Sequence, residues 1–363
     1  MSVEPRDVLK NLPSYRAARS IDTLKREYGL NKIIKLAANE NTLGFSPKIF
    51  DALKNVNSQY PDGSAFKLRS RLAEKLGVKL EQLVRGNGSF ELIYLTAIAY
   101  LEKGDETVGA APSFGWYKSV TEILGGKYIA VPVKDFHVDL DAIAASVTDK
   151  TKIIWLCNPN NPTGTIFTSA QLEAFLGKIR KDILVILDEA YVDFVSEADF
   201  PDSIALLNKY DNIAIFRTFS KLEGLASFRV GYAIGNTDFI NIINKIRIPS
   251  NVNALAQIAA LVSIDDEEFK KQTLENAAEQ KKFYYEEFKK LGFNYIPSNT
   301  NFIFFDIGQE SAPVVEKILK KGFLVRGGAE YGFPTMIRLT IGSPEENAGL
   351  IKVLKEVLGG KDE

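Results

Sequence analysis

Between residues 106 and 235 short apolar runs alternate with amphipathic stretches. The runs "ETVGAA", "KYIAVPV", "KIIWLC", "ILVILDEA", "NIAIFRTFS" and "RVGYAIG" carry few charges and predict strands buried on both faces. Segments between several of them, such as "SAQLEAFLGKIRKD", repeat apolar residues at helical spacing and predict helices. Strands alternating with helices in this way predict an α/β domain: a mainly parallel sheet flanked by helices.

From about residue 262 the pattern changes. "DDEEFKKQTLENAAEQKKFYYEEFKKLG" predicts one long amphipathic helix with a glycine stop, and "NFIFFDIG", "GFLVRGG" and "MIRLTIG" predict strands of a smaller α+β domain. Near the start, "VLKNLPSYRAARSIDTLKREYG" predicts an arm or helix packed with that second domain. The expected division is an arm over 1–32, a large domain over 33–250 and a small domain over 251–363. No fixed-period repeat or low-complexity tract interrupts this plan.

Composition narrows the function classes. A chain of 363 residues has room for about two domains at the usual ~150 residues each. Lys and Arg number 45 against 46 Asp and Glu, so no broad field favours nucleic acid or an anionic membrane, and neither is expected as a partner. The opening "MSVEPRD" lacks a secretory pattern, and no apolar run approaches the ~20 residues that span a bilayer; the expectation is a cytoplasmic protein. A lone cysteine, Cys157, excludes an intramolecular disulfide framework. A lone histidine, His137, leaves no His-rich metal site, so no metal is expected. His137 lies in the polar connection "VKDFHVDL", where a solvated loop is expected.

Parallel α/β sheets bind ligands beyond the carboxyl ends of their strands, which makes the residues after each apolar run the ones to inspect. "IIWLC" leads into "NPNNPTG" with Asn161. "ILVIL" ends at Asp188 of "DEAY", with Tyr191 three residues on; "IAIF" leads to Thr218, Ser220 and Lys221; Arg229 begins "RVGYAIG". Singly, each has an ordinary reading as a helix cap, a turn or a solvated lysine. Together they fit one chemistry. A buried amine loses the hydration of its ammonium form and becomes a nucleophile toward an aldehyde. A carboxylate opposite a pyridine nitrogen keeps that nitrogen protonated, and hydroxyls, an arginine fork and backbone N–H groups hold a phosphate. Those demands describe pyridoxal phosphate. Upstream, "RGNGSFELIYLTAIAYLEKGD" predicts a glycine loop opening a helix with Ser89 at the N-cap and Gly104 near the stop, a further phosphate site. The same "GNGSFE" is a fragment of a dinucleotide fingerprint, but it lacks the third glycine.

With these residues in place the chain resembles the fold-type I pyridoxal-phosphate enzymes, and among them the histidinol-phosphate aminotransferases. The resemblance runs nearly end to end, through "NLPSYRAARS", "KLAANENTLG", "YPDG", "GNGSFEL", "CNPNNPTG", "DEAY", "TFSK" and "MIRLTIGSPEEN". It implies that Lys221 bonds the cofactor and later carries a proton between substrate and cofactor, and that Asp188 pairs with the ring nitrogen. It implies that Asn161 and Tyr191 hydrogen-bond the ring oxygen. Thr218, Ser220, Arg229 and the backbone near Gly88, Ser89 and Phe90 take the phosphate side, and Phe114 stacks on the ring. Tyr60 matches a tyrosine that reaches the phosphate from a neighbouring subunit, which implies a homodimer with shared active sites. Arg338, Arg326 and Tyr15 match substrate contacts.

Four positions depart from the pattern: Thr42 for a common proline, Phe90 for a frequent acid, Phe114 for a common tyrosine, and Glu223 for a frequent aromatic. None removes a reacting group. The activity implied is amino-group exchange between histidinol phosphate and 2-oxoglutarate. Alternatives are an aminotransferase for aromatic or other amino acids, a phosphothreonine decarboxylase, or a ligand sensor on the same fold. The sensor would need an added DNA-binding domain, for which "NENTLG" beginning near residue 39 leaves no room.

Overall fold

The computed structural model describes residues 3–10, 12, 20–54 and 56–359. Its centre is a seven-stranded sheet in the order Leu83–Gly86, Gly231–Gly235, Ile213–Thr218, Leu184–Asp188, Thr151–Cys157, Glu106–Ala111 and Lys127–Pro132. The last five run parallel, while Gly231–Gly235 is antiparallel to both its neighbours. Alternate residues of the central strands enter opposite cores. Ile154, Leu156, Val185 and Leu187 join one cluster. Ile153, Trp155, Cys157 and Ile186 join the cluster on the other face. Helices cover both faces, which is why these strands carry no polar alternation.

The six strands expected in the middle of the chain are present, and the structure adds Leu83–Gly86 at one edge. The reversed strand has a consequence for the site. Thr218 pairs with Gly231, so residues just before Gly231 lie at the same edge as residues just after Thr218. The helix expected from "SAQLEAFLGKIRKD" is shorter, Ser169–Leu176, capped by Thr168 and Gln171 and ended at Gly177.

The second unit has a four-stranded antiparallel sheet ordered Arg326–Gly327, Met336–Thr340, Phe302–Asp306 and Asn294–Tyr295. The long helix is Glu267–Leu291, capped by Asp266 and stopped at Gly292, whose φ of 71° favours glycine. It packs with the helices Ser311–Lys320 and Pro344–Leu358 around Tyr284, Phe288, Phe305 and Leu350. "GFLVRGG" divides between two sheets: Phe323–Leu324 pairs with Ile34–Lys35, and Arg326–Gly327 pairs with the Met336–Thr340 strand.

Near the N-terminus, Leu24 and Ile33 pack against Leu319, and the Tyr28 hydroxyl donates to Glu316. The short helix Asp7–Lys10 instead lies by Trp116–Leu124 of the large unit, where Arg6 donates to the Leu124 carbonyl. The helix Ala254–Ile264 buries Ala256, Ala259, Ala260 and Ile264 in the core of the large sheet, although a boundary at 250 groups it with the second unit.

Phe288 is fully buried and stacks on Phe305 with ring centroids 4.3 Å apart. Phe288→Ala is therefore expected to cost about 3–5 kcal/mol of stability, read as a lower urea midpoint for the small-domain signal.

Candidate active site

The carboxyl ends of the parallel strands open onto two connected hollows. The inner one, about 280 Å³, is lined by Ser89, Phe90, Phe114, Asn161, Asp188, Tyr191, Thr218, Ser220, Lys221 and Arg229. The outer one, about 850 Å³, shares Phe90, Phe114, Asn161, Tyr191 and Lys221 and adds Arg326, Glu330, Tyr331 and Arg338 from the small unit. Twelve of the expected site residues thus line one continuous cleft. Tyr60 does not: it is 94% exposed and outside the cleft lining. Tyr15 lies outside the described residues. His137 is on an exposed loop with Nδ1 2.8 Å from the Asp135 carbonyl and is not among the residues that line the cleft.

Lys221 follows the Ile213–Thr218 strand, and its Nζ donates to the carbonyls of Asn39 at 3.0 Å and Ala38 at 3.3 Å. Burial, with the positive charges of Arg338 and Arg229, brings its amine down to about 8, against an upward pull from Glu40 and Asp188. Asp188 ends the neighbouring strand. Burial pushes its carboxyl up to about 6, although the Tyr117 hydroxyl donates to it at 2.6 Å and the Ala190 N–H at 3.2 Å. At neutral pH these values favour the ionised acid and give the amine a far larger neutral fraction than a solvated lysine has.

Tyr191 accepts from Asn39 Nδ2 at 2.9 Å and from Asn161 Nδ2 at 3.5 Å. Phe114 meets Phe90 and Tyr117 edge-on, and Phe90 stacks on Trp116 with centroids 4.4 Å apart, giving the cleft an aromatic wall. The departures Phe90 and Phe114 therefore share one apolar surface. Glu223 carries a buried carboxyl oxygen, and Thr42 a buried hydroxyl, with no hydrogen-bond partner among the described residues.

At the other end of the inner hollow, Thr218 Oγ1 lies 2.9 Å from Ser220 Oγ and accepts from the Ser220 N–H at 3.1 Å. Arg229 has φ 61°, an uncommon conformation for a residue with a Cβ, and its Nη1 donates to the Ala226 carbonyl. The Ser89 assignment needs a correction: Gly88 is the N-cap, with φ 72°, and Ser89 is the first residue of the helix Ser89–Tyr100. A Cβ on Gly88 would come within 2.6 Å of the Arg229 guanidinium, so only glycine lets that fork approach. A Cβ on Gly231 would likewise lie 2.6 Å from the Ser89 nitrogen. The helix ends at Tyr100, ahead of Gly104. Its N-terminus has no side-chain cap, so its first N–H groups suit an anion.

Arg338 alternates with apolar residues along its strand, a pattern that also fits a solvated face, yet it is 5% exposed. Its Nη1 donates to Asn161 Oδ1 and its Nη2 to the Ala37 carbonyl at 2.9 Å, while Nε has no partner among the described residues. Arg326 sits opposite Arg338 in the sheet register.

Tyr117 and Asn39 are the residues that the sequence alone did not mark. Tyr117 is fully buried, stacked on Trp155 at 5.1 Å, and reads as core until its hydroxyl is seen on Asp188. Asn39 has φ 55°, a conformation Asn tolerates better than most residues, and its two carbonyl-side and amide-side contacts hold Lys221 and Tyr191.

Two pH effects follow for the protein without cofactor. Labelling of Lys221 by an amine reagent is expected to titrate near pH 8 instead of 10.5, and at a lower pH in Asp188→Asn, because Asp188 pulls the value up. The unfolded chain binds the lysine proton more tightly than the fold does. Stability is therefore expected to rise between about pH 8 and 10.5, and urea titrations of Lys221→Met should lose that rise.

Residues 31–354 match the family described as aminotransferase class I and II. A histidinol-phosphate aminotransferase of Brevibacillus brevis is 43% identical over 362 residues, covering 99% of each chain. A histidinol-phosphate aminotransferase of Bacillus cereus is 44% identical over 356 residues, covering 97% of this chain and 96% of that protein. Among solved structures, a histidinol-phosphate aminotransferase of Sinorhizobium meliloti in complex with pyridoxal-5′-phosphate superposes with a TM-score of 0.93 at 24% identity, over 100% of this chain and 99% of that one. Its identity is low enough that it speaks to the fold alone. By the family match and the full-length relatives, this chain belongs to the class I and II aminotransferases.

Proposed function

We propose that the chain transfers an amino group between histidinol phosphate and 2-oxoglutarate with pyridoxal phosphate as cofactor, in histidine biosynthesis in the cytoplasm. The observation that carries this reading is the pairing of a desolvated amine and a buried acid in one hollow, with two arginines facing them from the second unit. Relatives 43–44% identical along the whole chain support the choice of substrate.

The residues present fit the cofactor's three demands. Asp188, steadied by Tyr117, is ionised at neutral pH and holds a proton on a ring nitrogen. Thr218, Ser220, Arg229 and the N–H groups of Ser89 and Phe90 take the phosphate, where Gly88 leaves space for the fork. Asn161 and Tyr191 direct an amide N–H and a hydroxyl toward the ring oxygen, and Phe114 covers the ring face. Bound there, the group supplies an aldehyde carbon for amines and a ring that takes up the electrons left when a Cα proton departs. With the group bound, Lys221 would hold its aldehyde carbon through the neutral amine, and once the substrate's amine had taken that place it would carry the proton that leaves the substrate's Cα.

Arg338 and Arg326 receive the substrate's anionic end, the phosphate of one substrate and a carboxylate of the other. Tyr15 belongs to the same end in this reading. The molecule works as a homodimer, with exposed Tyr60 serving the partner's phosphate site. The division read from the sequence is an arm over 1–32 and domains over 33–250 and 251–363; the packing of Ala254–Ile264 on the large sheet supports a second boundary at Ile264.

Protein supplemented with pyridoxal phosphate is expected to absorb in the visible or near ultraviolet and to keep a covalent label on Lys221 after borohydride. Lys221→Ala should lose about 10⁴-fold or more in kcat. Near-normal turnover in that variant overturns the reading. A kcat/KM for phenylalanine above that for histidinol phosphate favours an aromatic aminotransferase, and carbon dioxide release from phosphothreonine favours a decarboxylase.

A further inference from the structure

The two arginines of the outer hollow are held in different ways. Arg338 lines the cleft and is buried, braced by Asn161 and the Ala37 carbonyl, while its Nε has no hydrogen-bond partner among the described residues. Arg326 is half-exposed, and Glu330 grips its guanidinium with both carboxylate oxygens, one on Nε and one on Nη2. Two parallel N–H···O bonds of this kind are the geometry in which arginine also receives a phosphate or a carboxylate ligand. Glu330 therefore occupies a face of Arg326 that an incoming anion would use.

The segment that carries Glu330 is fixed. Gly328 N–H donates to the Met336 carbonyl at 2.7 Å, and Tyr331 and Phe333 donate to the Gly328 carbonyl at 2.9 and 3.0 Å. A Cβ on Gly328 would lie 2.8 Å from the Met336 carbonyl oxygen, so the turn is pinned against the strand that bears Arg338. The carboxyl of Glu330 is drawn below its ordinary value by Arg326, and further by Arg338. Burial opposes this lowering without reversing it, so Glu330 is negatively charged at neutral pH within the field of both arginines.

We propose that Glu330 is a specificity-determining residue for the substrate's anionic end: it acts as an internal counter-anion on Arg326 that the substrate anion must displace or share. The proposal rests on the reading of Arg326 and Arg338 as the anion end of the cleft. Its physical consequence is a weaker hold on anions than two uncompensated arginines would give. That suits an enzyme whose one site must accept and release two different anionic molecules in each cycle, because binding energy spent equally on substrate and product slows release without speeding chemistry.

The test uses holoenzyme and inorganic phosphate at fixed ionic strength, with phosphate binding read from inhibition and from the change in cofactor absorbance. Glu330→Gln keeps the side chain's shape and removes its charge. It is expected to tighten phosphate binding by about fivefold, the scale of a partly exposed ion pair. In an Arg326→Gln background most of that gain is expected to disappear, a result that a purely structural role for Glu330 would not give. Unchanged or weaker phosphate binding in Glu330→Gln overturns the proposal. So does a full fivefold gain that persists without Arg326, since the charge would then act through the general field. If Arg326→Gln and Arg338→Gln both bind phosphate as the unaltered enzyme does, the anion-end reading falls as well. A cofactor spectrum and melting temperature matching the unaltered enzyme establish that each variant is folded.

Discussion

The structure turns on the desolvation of one amine. Water strongly favours an ammonium ion, so placing Lys221 at the edge of a buried sheet disfavours its charged form, and the nearby positive charges of Arg338 and Arg229 add to that. The carbonyls of Ala38 and Asn39 give the amine hydrogen-bond partners without restoring bulk hydration. The same burial acts in the opposite sense on Asp188, whose value rises to about 6. Two groups that in water would titrate far apart are brought to either side of neutral pH, one able to attack and one able to hold charge.

That arrangement requires both units of the chain. The segment from Ile34 to Asn39 is the seam: the Leu36 N–H donates to the Leu324 carbonyl, the Leu36 carbonyl accepts from Thr340, and the Asn39 N–H donates to Thr340 Oγ1. Asn39 then reaches the large unit through Tyr191 and Lys221. Arg338 crosses from the small sheet to Asn161 of the large one. The cleft walls are therefore held in register by hydrogen bonds that pass through candidate-site positions, which couples the placement of Arg338 to that of the amine.

Strand ends made much of this site legible. Asn161, Asp188, Thr218, Ser220 and Lys221 follow apolar runs that can only be buried strands, and parallel strands deliver their ends to one edge. Arg229 reaches that edge for a different reason, the reversal of the Gly231–Gly235 strand, which no local pattern announces. Tyr117 was hidden because a buried helix aromatic looks like core, and only packing across the sheet decides which polar group its hydroxyl meets. The split of "GFLVRGG" between two sheets was hidden for a similar reason, since each half finds its partner far away in the chain.

By itself, the sequence determined the strand and helix rhythm, the two kinds of architecture, and most of the side chains that line the cleft, because periodicity and residue type act locally. Tertiary structure alone decided which carbonyls hold the amine, which hydroxyl steadies the acid, and that Glu330 sits on Arg326. Burial and the distances between charges are properties of segments brought together from opposite ends of the chain, and those distances set how far each group departs from its behaviour in water.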